Sequence, residues 1–404
     1  MADIQIDETT LPEVHTLGIL GRLKVKMQAV VNRWDNYTKN QKIAIGAAVL
    51  VVVIAVIAVS VLVLGSGRNT DLEPTSDLSK NSDSIELMEP EEPRDQESPL
   101  TGELLTQTEY NSVVSRSVLA VIVENAQPAR PQSGIDKADI IFETLTEGGI
   151  TRFIPLFLSE DAEVVGPVRS MRKYFLDFVA GYDDPLVMHI GYAQSSNPQA
   201  NAIGELSSRG VKTLGLNGGT FWRVGDRSAP HNAYASTVTL RKEAEALGWN
   251  HPSDVTTWQF KDAEELTSDG SYISTIRVNW GAWGVTDWSV KWELDPLANV
   301  YKRFHVDDPH KEAVSGEVIT ANNVLVIYTN QQSANDGTAR IVVDAMGNGN
   351  ALLFRDGQVI NGTWSKPTRT DRYLITGTDG NPVEFNRGNT WIMVVPLNSE
   401  VLYD

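Results

Sequence analysis

With 404 residues, a formal net charge of −18 and no cysteine, the chain is long enough for two folded units and leaves no role for a disulfide or a catalytic thiol. The acidity also excludes a general nucleic-acid binder, which needs basic surface to neutralise phosphates.

Residues 1–42 carry six basic residues (Arg22, Lys24, Lys26, Arg33, Lys39, Lys42) against five acids and are expected to form a cytoplasmic N-terminal segment. The next stretch, 43–64, runs from Ile43 to Leu64 without a charge and with Ser60 as its one hydroxyl. As a helix it covers about 33 Å, enough to cross a hydrocarbon core of about 30 Å. It starts far from the N-terminus and ends in Gly65-Ser66-Gly67-Arg68 without a small-residue cleavage site, so an uncleaved transmembrane helix is expected, not a signal peptide. Arg33, Lys39 and Lys42 precede the span and only Arg68 closely follows it, which places the N-terminus inside the cell membrane and the remainder outside.

Residues 65–110 read as a disordered acidic stalk: positions 69–109 hold twelve acids against Lys80 and Arg94, with prolines at 74, 90, 93 and 99. Folded sequence is expected from 111. Ser117–Glu124, Ile140–Thr146, Phe153–Ser159 and Leu186–Ile190 are apolar runs of strand length, and Tyr174–Gly181 and Leu240–Gly248 have helical character. The segment 111–265 is therefore an α/β (or α+β) N-terminal extracytoplasmic domain. A β-rich C-terminal domain, 266–404, follows. Its strands are expected at Ser289–Leu294, Asn299–His305, Asn323–Thr329, Arg340–Asp344, Ala351–Arg355, Val359–Trp364, Tyr373–Thr376, Val383–Phe385 and Trp391–Pro396, with Asp356-Gly357 and Asp379-Gly380 as hairpin turns. Trp280, Trp283, Trp288, Trp292, Trp364 and Trp391 are for the most part expected in the core or on sheet faces.

The densest polar signal is arginine in turn-like contexts: Arg152, then Arg169 and Arg172 around Ser170, then Arg223 and Arg227. Converging guanidinium forks suit a phosphate, pyrophosphate or carboxylate, whereas arginines taken singly are commonly surface ion pairs. His231 and Asn232 sit in a rigid Ala-Pro-His-Asn turn that suits a working histidine. His189 alternates with apolar residues and reads as a strand histidine or a ligand-facing one. Asp139, Glu143 and Glu147 would share one strand face and could hold a divalent cation, orient the arginines or simply meet solvent. His305, Asp307, Asp308 and His310 lack zinc-ligand spacing and are taken as a polar loop, so no metal site is assigned, and no cofactor is indicated.

The segments GGITRFIPLFLSEDAEVVGPVRSMRKYF, SAPHNAYAS, GNGNALLFRDGQVINGTW and GNTWIMVVP resemble the YerB-like family of bacterial cell-surface proteins, across roughly residues 115–404. The resemblance implies a two-part domain of unknown function held at the cell envelope. Members often carry a lipid-modified cysteine; here Ile43–Leu64 would be the anchor instead. The outward display on one helix and the Val168-Arg169-Ser170 turn are also similar, in architecture, to the LytR-CpsA-Psr proteins, without a motif that carries catalytic residues across. Three functions are open: a module binding an anionic envelope ligand through Arg152, Arg169, Arg172 and Arg223; an envelope glycan or phosphoryl transferase or hydrolase; and a protein-interaction module with structural arginines.

Overall fold

The computed structural model describes residues 92–215, 219–255, 258–266, 271–280 and 289–404, all within one unit, Glu89–Asp404. The expected cytoplasmic segment, the membrane span at Ile43–Leu64 and the stalk up to residue 91 lie outside the described residues. Among the described residues no helix is long and apolar enough to cross a membrane.

In chain order the elements are β1 (Gln96–Glu97), β2 (Leu104–Leu105), α1 (Gln107–Val114), β3 (Leu119–Val121), β4 (Val123–Glu124), β5 (Ile140–Leu145), β6 (Thr151–Phe157), α2 (Lys173–Val179), β7 (Leu186–Met188), α3 (Ala202–Arg209), β8 (Trp222–Arg223), β9 (Ala233–Tyr234), α4 (Thr237–Ala246) and β10 (Phe260–Lys261). The second half continues with β11 (Thr275–Asn279), β12 (Val290–Asp295), β13 (Val300–His305), β14 (Asp308–Pro309), β15 (Thr320–Ala321), β16 (Asn323–Thr329), β17 (Gln331–Ser333), β18 (Ile341–Val343), β19 (Gly347–Arg355), β20 (Gln358–Lys366), β21 (Leu374–Gly377), β22 (Phe385–Asn386), β23 (Thr390–Pro396) and β24 (Glu400–Tyr403).

The expected stalk gives way to folded chain earlier than residue 111. Leu100 is buried, and Thr106 opens α1 with a capping box in which its side chain accepts from Glu109 N while Glu109 accepts from Thr106 N. Helices α1 and α3 escape the sequence reading because neither carries a continuous apolar stripe; of their residues only Val113 and Ala202 are buried.

Strands from both halves share one central sheet, ordered β21-β20-β19-β16-β23-β5-β6-β3-β7 among the described residues, with β4 beside β6. Strand β23 runs parallel to both β16 and β5, so the chain's end is laid between the C-terminal strands and the N-terminal ones. Strands β5, β6 and β23 are buried along their whole length, which explains why they read as apolar runs and not as alternations. The expected single strand Ser117–Glu124 is broken at Ile122, whose N–H turns to Met188 O. The break faces Ile154 and Pro155 of β6, and a proline has no N–H to give a ladder.

Successive residues of β5 point to opposite faces. Phe142 meets Phe178 of α2, with ring centroids 5.6 Å apart, and Glu143 points the other way toward the second sheet, β14-β13-β12-β11-β24. Trp292 of that sheet packs edge-on to Trp391 at 5.3 Å, and Trp280, Trp364 and Trp391 are likewise buried, as expected for core tryptophans. Asp356 and Gly357 take φ of 52° and 63° and join β19 to β20 as the expected hairpin.

Candidate functional site

The segment from Pro167 to Arg172 is stitched into the fold on three sides. Glu124 N donates to Pro167 O (2.9 Å) and Arg169 N to Ile122 O (2.8 Å); Ile190 N donates to Arg169 O and Met171 N to Gly191 O (both 3.0 Å); Val168 N donates to Ala233 O (2.7 Å). The turn-like context read from Gly166 and Pro167 is thus an extended strip with fixed side-chain directions. Gly191 has φ of +80°, and a Cβ there would lie 2.8 Å from Ser170 Oγ, so the close pairing of the strip with 190–193 needs glycine. Ser170 Oγ donates to Ile190 O at 3.0 Å, so its proton is directed to a backbone carbonyl.

Two carboxylates organise the cations. Glu124, buried at the end of β4, lies 2.9 Å from Arg169 Nε and accepts from His231 Nδ1 at 2.9 Å. Glu147 takes a two-pronged bond from Arg172, Nε to Oε1 and Nη2 to Oε2, both 2.6 Å. The second Glu147 oxygen also lies 4.0 Å from Arg152, whose Nη1 donates to Ser170 O at 2.7 Å. Burial raises the Glu147 pKa, but the Arg172 hydrogen bond and charge outweigh it and hold the carboxyl below its usual value. Burial, then the adjacent Arg172, brings Arg152 down to about 10, where it is still cationic at neutral pH.

The other expected site residues serve elsewhere. Arg223, exposed on β8, donates to Asn232 Oδ1 (2.7 Å), and Asn232 Nδ2 donates to Val224 O (3.0 Å). Arg227 donates to the carbonyls of Ala129 (2.7 Å) and Pro131 (2.9 Å), tying its loop to the 129–131 segment. His189 is buried; its Nδ1 donates to Gly191 O at 2.8 Å, and burial lowers its pKa, so it stays neutral. Of the nine residues, Arg152, Arg169, Ser170, Arg172 and His231 are gathered around Glu124 and Glu147, whereas His189 and Asn232 hold nearby backbone, Arg223 holds Asn232 and Arg227 holds the 129–131 backbone.

A cleft of about 300 Å³ adjoins this strip, lined by Glu147, Ser170, Arg172, Tyr192, Ala193, Thr338 and Arg340. Arg340 comes from the C-terminal half and pairs with Asp336 at 3.0 Å, and Asp336 also accepts from Ser195 Oγ at 2.5 Å. It was not singled out from sequence: Asn335-Asp336-Gly337-Thr338 is a turn with no periodic or motif signal.

Asp139, Glu143 and Glu147 do not act as one strand face. Asp139 accepts from Leu158 N and Ser159 N. Glu143, fully buried, takes two bonds from Arg303 Nη2 (2.8 and 3.0 Å), one from Thr151 Oγ1 (2.9 Å) and one from Trp391 Nε1 (2.9 Å). Arg303 is enclosed by Trp391, Phe153 and Trp292, with ring centroids 4.9, 5.2 and 5.9 Å away. The expected polar loop at 305–310 divides in two. Asp307 is exposed beside Lys291 at 3.0 Å, whereas His310 is buried, accepting from Arg303 Nη1 (2.8 Å) and donating through Nε2 to Gln132 Oε1 (2.9 Å). Burial, with the charge of Arg303, holds both His305 and His310 far below the ordinary histidine range.

Two family models, the N-terminal and the C-terminal domain of a protein of unknown function (DUF3048), match residues 100–250 and 277–392, so the folded unit is a two-part DUF3048 protein. The "Putative lipoprotein YerB" of Bacillus subtilis (strain 168) is 33% identical over 298 residues, 74% of this chain and 86% of that protein. The crystal structure of Bacillus subtilis YerB superimposes with a TM-score of 0.66 at 32% identity, over 76% of this chain and 99% of that one. The chain belongs to the YerB-like family.

Proposed function

We propose that the chain is a membrane-anchored extracytoplasmic module that receives an anionic, phosphate- or pyrophosphate-bearing ligand of the cell envelope. The anchor in this reading is the uncharged span Ile43–Leu64, with a cytoplasmic N-terminus. The relative's name, a lipoprotein, supports the same side of the membrane by a different anchor.

The observation that carries the reading is the meeting of Arg172 and Arg340, one from each half of the chain, on the walls of a single cleft with Ser170 and Tyr192. Arg152, Arg169 and Arg172 outnumber the Glu124 and Glu147 carboxylates that hold them, so the strip behind the cleft keeps a positive excess. Pairing with Glu147 holds the Arg172 fork in one orientation, and an incoming phosphate would compete with or bridge that pair. The same pairing favours a second reading, in which the arginines are structural and the module docks a protein.

The deciding experiment is calorimetric titration of the full chain in detergent with polyprenyl phosphate and pyrophosphate. Arg172→Gln and Arg340→Gln are expected each to weaken binding at least about tenfold, the loss of one charge-assisted bond. A folded wild type that binds neither would move the assignment to protein docking.

A further inference from the structure

A second cavity lies at the β21 edge of the central sheet, against the C-terminal end of α2, the helix whose N-terminal end follows the strip. Its volume is about 900 Å³, in the range of small-ligand sites, and its walls include Trp258, Arg369, Arg372, Asp183 and Asp254. We propose that it binds a small ligand joining one compact oxyanion, phosphate or carboxylate, to a hydroxyl-rich body such as a sugar acid or sugar phosphate.

Arg369 and Arg372 supply the anion-binding half. Each faces the cavity half-buried, and neither has a carboxylate within ion-pair distance or a side-chain hydrogen bond among the described residues. This separates them from Arg169, Arg172 and Arg340, all of which are already paired with acids. A partly desolvated guanidinium without a counter-charge is costly, and an arriving oxyanion relieves that cost. Arg372 is also positioned: its guanidinium carbon lies 5.9 Å from the Trp258 ring centroid.

The loop that presents them is built before any ligand arrives. Lys366, fully buried, sends its Nζ to Arg369 O at 2.7 Å and to Asp371 O. Thr368 N donates to Asp371 Oδ2 at 2.7 Å, closing the turn between the arginines. Gly181 lets this loop seat against the end of α2, since a Cβ there would stand 2.4 Å from Asp371 O. Trp258 is itself fixed, stacked on Phe385 at 4.3 Å and donating to Tyr373 O at 2.7 Å.

The acids supply the other half of the specificity. Asp183 and Asp254 come from segments other than the arginine loop, and Asp254's carboxylate meets solvent. Carboxylates accept from hydroxyls and repel further anionic groups, so one compact anion on a donor-rich body fits and a polyanion does not.

Titration of the full chain in detergent with glucose 6-phosphate, glucuronate and glucose tests this. Saturable binding of glucose 6-phosphate or of glucuronate, with none of glucose, is expected, and which of the two binds tells phosphate from carboxylate. Arg369→Gln and Arg372→Gln should each weaken it at least about tenfold, while Arg277→Gln, exposed beside Asp307 and lining neither cleft, leaves it unchanged; a loss confined to the Arg369 and Arg372 variants keeps the result independent of the function proposed above. If a variant does not fold, protection of Arg369 and Arg372 from phenylglyoxal by the same probe, read by peptide mass in the wild type, replaces it. No binding of either anion at millimolar concentration, binding that survives both substitutions, or absence of protection would overturn the proposal.

Discussion

Among single residues, Glu143 and Arg303 are the most committed pair in the molecule. Both are fully buried, and every oxygen of Glu143 accepts from Arg303, Thr151 or Trp391. Removing one partner leaves an uncompensated buried charge, whereas removing both removes the desolvation cost as well. Glu143→Gln or Arg303→Met is therefore expected to destabilise by about 3–5 kcal/mol in urea denaturation, and Glu143→Leu combined with Arg303→Met by much less than the sum. Additive single effects would show that the two groups do not act as a pair. The strip arginines differ in kind: Arg169 is partly open and Arg172 borders a cleft, so their replacement should alter binding more than folding.

At the level of elements, the ladders show where backbone must approach backbone. Gly215 packs so closely on the 189 position that a Cβ would stand 1.5 Å from His189 O, and Leu214 N is bonded to Val187 O on the same edge. Gly225, by contrast, has open space around it. Gly215→Ala is expected to lower stability by at least about 2 kcal/mol, because backbone cannot yield as a side-chain tip can, while Gly225→Ala stays near zero. Thermal melts of the two variants side by side read the difference. Equal melting temperatures would mean that the 213–215 segment shifts freely against β7. The β21 edge gives a complementary lesson, since Trp258 Nε1 and Val383 N occupy the carbonyls of Tyr373 and Ile375 and so close much of that edge to strand addition.

For the molecule as a whole, the order β16-β23-β5 has the largest consequence. The two matched family segments, 100–250 and 277–392, meet within one sheet, and β5 finds its parallel partner in residues 390–394. Residues 92–265 produced alone are expected to lack native tertiary structure, because β5 would present an apolar edge along its length. Near-ultraviolet circular dichroism of that fragment, with and without 266–404 co-expressed, checks this; a native-like spectrum from the fragment alone would show that the halves fold independently.

Much of this organisation is legible in the sequence. The apolar runs at 140–146, 153–159, 323–329 and 391–396 become central strands because burial on both faces demands continuous hydrophobicity, and Asp356-Gly357 becomes a hairpin because its left-handed turn suits those two residues. The early start of the fold, from β1 through α1, was hidden by acidic composition that surface elements tolerate. Residue type alone marked Arg152, Arg169, Arg172, Arg223 and Arg227 as one group, of which the structure gathers the first three and gives Arg223 and Arg227 other partners. Only the tertiary structure decided what each charge meets: Glu124 and Glu147 orient Arg152, Arg169 and Arg172 without matching their number, Glu143 goes to Arg303 some 160 positions away, and Arg369 and Arg372 have no acid in ion-pair range among the described residues. Local pattern encodes which face a residue takes, since that follows from the period of helix or strand. Ion pairing between distant segments depends on sheet order and register, and no local pattern carries those.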